Sequence, residues 1–434
     1  MDRYEYSIRT RPSAASAPSS SRRRPEIVDW PSSSPSRTQP TQQSRPQAAT
    51  QTTTSSPSAD LQAAMTIGCE VETNLRARDS RNDISRFGTD RQAITDFANN
   101  VCNIFNTKMS ERRTPGRMRV KGDPRYSQEY SIALWTLERD GSIRKDNSQQ
   151  VSLEIVSPIM ICDPTELWRR DVESMYKYIG GAFYFEANES CGLHVHMEPS
   201  LIWNMNDLRA LCKAIVYFEP MLQAILPLHR ARGNMYCKQN YRENPHLRSL
   251  EMGRCFDAIN GIRGLDDLKR VMNADGDGGH TRYYAWNFTN LKPEASSRQS
   301  AGGSGIDGTV EYRNPPFAND ARTCTAWMTL ATTFVGAARR AGREDAKIRR
   351  DYAQDFRGLK SFLDYGSERW TRKADYLSLF PGESRSGESR SSESRSGSIR
   401  TRVVEPSSSR TIAPGVEVRR SQNGDIRLMR RRNQ

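Results

Sequence analysis

No run of about 18 apolar residues occurs in the 434-residue sequence, so no segment has the length of a membrane-spanning helix and no membrane partner is expected. The eight cysteines (Cys69, Cys102, Cys162, Cys191, Cys212, Cys237, Cys255 and Cys324) contain no C-x-x-C pair and no tight spacing. Neither a zinc ribbon nor a disulfide framework is therefore indicated, and the thiols read as reduced and packed. No G-x-x-x-x-G-K-[ST] is present, which excludes a P-loop nucleotide site. The opening Met1-Asp2-Arg3-Tyr4-Glu5-Tyr6 lacks the charged-then-apolar pattern of a secretory signal, so a cytoplasmic protein is expected. Apolar residues are also scarce, at 35% against a globular norm of roughly 45–50%, so part of the chain is too polar to fold.

What is present is an excess of positive charge, +14 overall, and most of it sits at the ends. Residues 1–60 carry 8 basic and 5 acidic side chains, and 381–434 carry 12 and 6, which leaves 45 and 40 for residues 61–380. A basic chain suggests nucleic acid, but the body is close to neutral, so any such contact is expected of the tails. Residues 12–59 are dominated by Ser, Pro, Thr, Gln and Arg, a composition that cannot offset the entropy of ordering. Near the other end Glu383-Ser384-Arg385-Ser386-Gly387 recurs with drift at Glu388 and Glu393, a low-complexity tract. Arg430-Arg431-Arg432 lies just before Asn433-Gln434, and is expected to have no specific role, with a nuclear or nucleic-acid address as the alternative. The expected organisation is a disordered tail over 1–60, one catalytic domain over 61–380 and a second disordered tail over 381–434.

Within the body, helical spacing recurs over 93–105, where Ile94, Phe97, Ala98, Val101, Ile104 and Phe105 form one stripe. Asp163-Pro164 is expected to open a second helix that Gly180-Gly181 ends, and Asn206 or Asp207 to cap a third through Leu222. Further helices are expected over 264–274, 322–340 and 342–364, and strands over 66–72, 151–156, 192–198 and 308–313. Strand and helix mix without regular βαβ alternation, which predicts an α+β domain with a largely antiparallel sheet.

These strands carry ionisable residues two apart, and on a strand i and i+2 share a face. Glu70 and Glu72 pair in this way, with Cys69 and Val71 opposite; His194 and His196 pair, with Leu193 and Val195 opposite; Glu311 pairs with Arg313, leaving Val310 and Tyr312 for the core. Leu153-Glu154-Ile155 adds a carboxylate between apolar neighbours. Any one pair is also what an amphipathic edge strand with a wet face would show. Three pairs and a lone Glu on apolar-backed strands would instead build one face with four Glu, two His and one Arg. Carboxylates so close raise one another's pKa, and divalent cations are the usual remedy. Mainly hard oxygen with one or two imidazoles suits Mg²⁺ or Mn²⁺ better than structural zinc.

Gly68-Cys69-Glu70-Val71-Glu72, Asp140-Gly141-Ser142-Ile143, Leu153-Glu154-Ile155-Val156-Ser157-Pro158, Cys191-Gly192-Leu193-His194-Val195-His196 and Gly308-Thr309-Val310-Glu311-Tyr312-Arg313 resemble, in this order, the motifs of the putative amidoligase family. Those enzymes are carboxylate–amine ligases related to glutamine synthetase and glutamate–cysteine ligase, and the likeness covers about 65–340. The resemblance implies a curved, largely antiparallel, glutamine-synthetase-like sheet with flanking helices, holding ATP and two or three Mg²⁺ on its concave face. It also implies a carboxylate and an amine, free or in peptides, as substrates. Carried over motif by motif, Glu72 and Glu154 would hold the metal beside the substrate carboxylate, and Glu70, His194 and Glu311 the metal that bridges ATP phosphates. His196 would touch the phosphates, Arg313 would clamp a carboxylate or the transferring phosphoryl, and Asp140 would help bind the amine. The polar stretch 292–307 departs from the pattern, as a loop or lid before the Glu311 strand.

Three other motifs are set aside. The G-x-G-x-x-G at Gly303–Gly308 is followed by an expected strand rather than a helix, Asn273–Gly278 begins like a calcium loop but has Tyr284 where Glu is needed, and Cys191 has no nucleophile elbow around it. Two rival functions stay open on the residues: a His/Glu metal-dependent hydrolase, and a non-catalytic scaffold or nucleic-acid binder using its Arg-rich ends.

Overall fold

A computed structural model describes residues 65–88, 91–112, 116–123, 133–199, 203–293, 306–341, 345–368 and 371–381, with the strands 411–413, 416–420 and 426–430. The expected tail over 1–60, the Ser-Arg tract, the G-x-G-x-x-G start and most of the polar insertion lie outside those residues. In chain order the body comprises β1 (Met65–Ala77), α1 (Arg91–Glu111), β2 (Met118–Val120), β3 (Trp135–Glu138), β4 (Val151–Val156), β5 (Met160–Cys162), α2 (Leu167–Gly180), β6 (Phe183–Glu186), β7 (Leu193–Pro199) and α3 (Met205–Ala224). There follow α4 (Leu228–Ala231), α5 (Met252–Asn260), α6 (Leu265–Met272), β8 (Trp286–Asn287), β9 (Lys292–Pro293), β10 (Ile306–Asp307), β11 (Val310–Tyr312), α7 (Ala321–Ala341), α8 (Asp345–Asp351), α9 (Phe356–Gly366) and α10 (Lys373–Leu377).

The fold is α+β, as expected, built on a nine-stranded sheet of order β2-β3-β4-β1-β7-β11-β8, with β5 and β6 also paired to β1. Every pairing is antiparallel except β2 with β3. β1 is 13 residues long and takes four partners, so the segment bearing Glu70 and Glu72 is the axis of the sheet. Cys69, Val71, Leu193, Val195 and Tyr312 are fully buried on one face. Helix α7 packs there against β1 and β7, and α2, α3, α9 and α10 pack on α7. Trp286 stacks on Tyr312 at 4.4 Å between ring centroids and reaches Phe334 of α7 at 5.3 Å. Among the described residues no helix is long and apolar enough to cross a membrane.

Several local expectations are corrected. The second helix begins at Leu167 rather than Asp163-Pro164, because the Asp163 carboxylate accepts from the Thr165 N–H and folds a turn ahead of it. The third is capped by Asn204, whose side chain accepts from Asp207 N, so Asn206 and Asp207 lie inside the first turn. The single helix expected over 342–364 is two, since Asp355 caps a new start by accepting from Gly358 N. The strands β2, β3, β5 and β6 and helix α5 were not expected, being short or weakly periodic. The polar insertion is closed at its base by pairing of Lys292–Pro293 with Ile306–Asp307. Within the stretch expected as the second tail, 411–413, 416–420 and 426–430 pair as three short antiparallel strands.

Candidate active site

Strand register brings the ionisable pairs together. Glu70 lies directly opposite His194, Glu72 opposite Glu154, and Glu311 opposite His196. Side chains so placed on one face have Cβ atoms about 4.5–5.5 Å apart. At the centre is His194, only 3% exposed, which touches all four carboxylates. Its Nδ1 is 3.0 Å from Glu70 Oε2, 3.5 Å from Glu311 Oε1 and 4.0 Å from Glu154 Oε1, and its Nε2 is 3.6 Å from Glu72 Oε1. His196 Nε2 lies 3.2 Å from Glu70 Oε1 and 3.8 Å from Glu311 Oε1, while its Nδ1 meets Thr309 Oγ1 at 3.0 Å.

Ligand atoms gather into three overlapping groups, each spanning no more than 4.8 Å: Glu70, His196 and Glu311; Glu70, Glu154 and His194; and Glu72, Asp140 and Glu154. Asp140 comes from the turn after β3, where Ser142 donates to its Oδ1 through both N–H and hydroxyl at 2.7 Å. The resemblance gives Asp140 to the amine and His194 to the group of Glu70 and Glu311. In the structure Asp140 stands with two carboxylates, and both imidazoles lie within reach of Glu70 and Glu311.

The electrostatics follow from this crowding. Burial and the charges of Glu70, Glu72, Asp140 and Glu138 push the Glu154 carboxyl up to about 9. Burial alone would lower His196, but Glu70 and Glu311 overcome it and raise the imidazole to about 9. Burial would likewise raise Glu70 and Glu311; His196 with His194 holds Glu70 well below its usual range, and His196, Arg313 and His194 lower Glu311. Protons on Glu154 and His196 thus offset part of the crowding of negative charge. Carboxylate oxygens and imidazoles within mutual reach fit Mg²⁺ or Mn²⁺.

Arg313 is buried just past β11, donating from Nη1 to Glu311 Oε1 and from Nε to the Tyr236 carbonyl at 3.4 Å. Beneath it Arg230 donates to the carbonyls of Arg313 and Asn314. Its guanidinium lies where a side chain on Gly192 would sit, 2.7 Å from such a Cβ. Sequence reasoning missed Arg230, Asn287 and Asn290, which have no local pattern, and gave no role to Thr309, although it lies two residues from Glu311. It also missed Glu138, which sits opposite Glu154 and which the alternation Trp135-Thr136-Leu137-Glu138 could have revealed. Cys191 is buried, and burial raises its thiol pKa, which suits packing rather than nucleophilic chemistry.

Residues 64–335 match the family described as putative amidoligase enzyme, and the chain belongs to that family. Among curated proteins none matches the chain.

Proposed function

We propose that the chain is an ATP- and Mg²⁺-dependent carboxylate–amine ligase with a glutamine-synthetase-like catalytic domain, working through an acyl phosphate. The observation that carries this reading is the convergence of Glu70, Glu72, Glu154, His194, His196 and Glu311 in overlapping ligand groups beside Arg313. A carboxylate is a poor acylating agent because its oxygen leaves badly. Attack of that carboxylate on the γ-phosphorus of ATP releases ADP and leaves an acyl phosphate. An amine then attacks the acyl carbon, phosphate departs and an amide remains. Such transfer needs positioning and charge neutralisation more than a protein nucleophile.

Bound Mg²⁺ or Mn²⁺ would neutralise the phosphates and the substrate carboxylate. Glu72 and Glu154, with Asp140 beside them, would hold the cation at the carboxylate end, where Asp140 also stands ready for the incoming amine. Glu70 and Glu311 would hold the phosphate-side cation with one imidazole, and the second imidazole would face the phosphates. Arg313 suits a carboxylate or phosphoryl group through its planar fork.

Hydroxylamine tests the mechanism, since an acyl phosphate would be caught as a hydroxamate. With a panel of carboxylic acids, hydroxamate, ADP and phosphate should form only when acid, ATP and Mg²⁺ are all present. AMP with pyrophosphate would mean adenylation instead, and cleavage of an amide or ester without nucleotide would make the protein a hydrolase.

A further inference from the structure

Glu311 is held differently from the other carboxylates of the cluster. Its Oε2 accepts from Asn287 Nδ2 at 2.7 Å and from Asn290 Nδ2 at 3.2 Å. Two donors match the two lone pairs of one carboxylate oxygen. Its Oε1 alone meets Arg313 and the two imidazoles. Glu70 contrasts with this, offering Oε2 to His194 and Oε1 to His196, and it belongs to two ligand groups where Glu311 belongs to one.

Both amides are fixed from behind. Asn287 is fully buried and lies opposite Glu311 in the β8–β11 register. Its Oδ1 accepts from Thr289 N at 2.8 Å, so the amide can only turn its NH₂ toward the carboxylate. The preceding Trp286 points to the other face and is stacked on Tyr312, which holds the β8 backbone in place. Asn290 reaches Glu311 because Gly308, at φ +96°, lies against the Asn290 carbonyl where a Cβ would collide.

We propose that Asn287 and Asn290 are positioning residues that make Glu311 a single-oxygen metal ligand: they occupy Oε2 and fix the carboxylate plane so that only Oε1 faces the cation. This rests on the reading of Glu311 as a metal ligand. Partners of this kind, which orient a ligand without touching the ion, typically govern metal affinity by 10–100-fold.

The test is Mn²⁺ titration of the full chain, followed by electron paramagnetic resonance of the free ion. The proteins are the parent, Asn287→Ala, Asn290→Ala and Glu311→Gln, with each Asn change also made in Glu311→Gln. In the parent background Asn287→Ala should weaken the Mn²⁺ class that Glu311→Gln weakens by about 10–100-fold. Asn290→Ala should weaken it less. In Glu311→Gln neither change should cost anything further. Equal weakening in both backgrounds would make the amides merely structural, and parent-like binding by folded variants would overturn the proposal while leaving the metal site intact. A parent that binds no Mn²⁺ would overturn the metal reading and this proposal together. Asn290 is exposed, so Asn290→Ala decides by the same criterion if Asn287→Ala does not fold.

Discussion

Glu70 and Val71 are neighbours in sequence and belong to opposite regimes. Val71, with Leu193, Val195 and Tyr312, is sealed under α7, where burying each large apolar side chain contributes about 1.5–3 kcal/mol. Glu70, with Glu72, Glu154 and Glu311, shares the other face with two imidazoles and an arginine, and there burial works against the charged forms. One set of strands thus stabilises the fold with every second residue and assembles a reactive cluster with those between. The difference teaches that the two faces should respond to substitution in opposite ways.

The largest effect is expected on the apolar face. Leu193→Ala should cost about 2–5 kcal/mol in urea unfolding, whether or not metal is present; a loss under 1 kcal/mol would mean that this face is not the core. Nearly as large, but confined to activity, is Arg313→Lys, where a point charge replaces a fork. The hydroxamate rate should fall ~10²–10³-fold, about 2.7–4 kcal/mol, with the metal-free melting temperature within a few degrees of the parent.

A smaller effect, of opposite sign, is expected for Glu72→Gln. Removing one carboxylate from a crowded anionic cluster should leave the metal-free protein as stable as the parent or up to ~1 kcal/mol more so. The rise in Tm produced by Mg²⁺ or Mn²⁺ should shrink at the same time. Melting well below the parent without metal would place Glu72 among the structural residues and erase the contrast between the faces.

A last effect, which only a pH series reveals, comes from a buried carboxylate outside the cluster. Glu219 on α3 accepts from the N–H groups of Tyr241 and Arg242 at 2.9 and 3.1 Å, yet burial, only partly offset by those donors, raises its pKa from 4.5 to about 7. A carboxyl with a raised folded pKa holds its proton more tightly folded than unfolded. Its contribution is therefore complete below about pH 4.5 and is lost as pH rises through about 7. Because Glu219→Gln stays neutral at every pH, the parent's melting temperature should fall relative to the variant's as pH is raised across that window. A gap that stays constant would show that Glu219 does not titrate there.

How much could be read before folding follows from the same alternation. The spacing of two in Glu70/Glu72, His194/His196 and Glu311/Arg313, each backed by apolar residues, is local, and it survives as shared faces in the structure. Asp140 carried no such signal, because it sits in a turn and reaches Glu72 and Glu154 only through the β3–β4 connection. Apolar spacing over 342–364 says nothing of the capping bond that Gly358 N–H donates to Asp355, which starts a second helix there.

The sequence by itself determined which side chains face the same way, since the strand period is a property of the backbone. It also determined the family, through five short motifs in order. Register was decided only by the tertiary structure, because pairing β1 with β4 and β7 joins residues at least 76 positions apart. A slip of one residue would turn Glu70 into the core and Val71 into the cluster. The same long-range pairing set Asn287 opposite Glu311, set His194 among four carboxylates, and placed Arg230 under Arg313. None of these contacts has a sequence period, because each depends on where a distant strand or loop comes to rest.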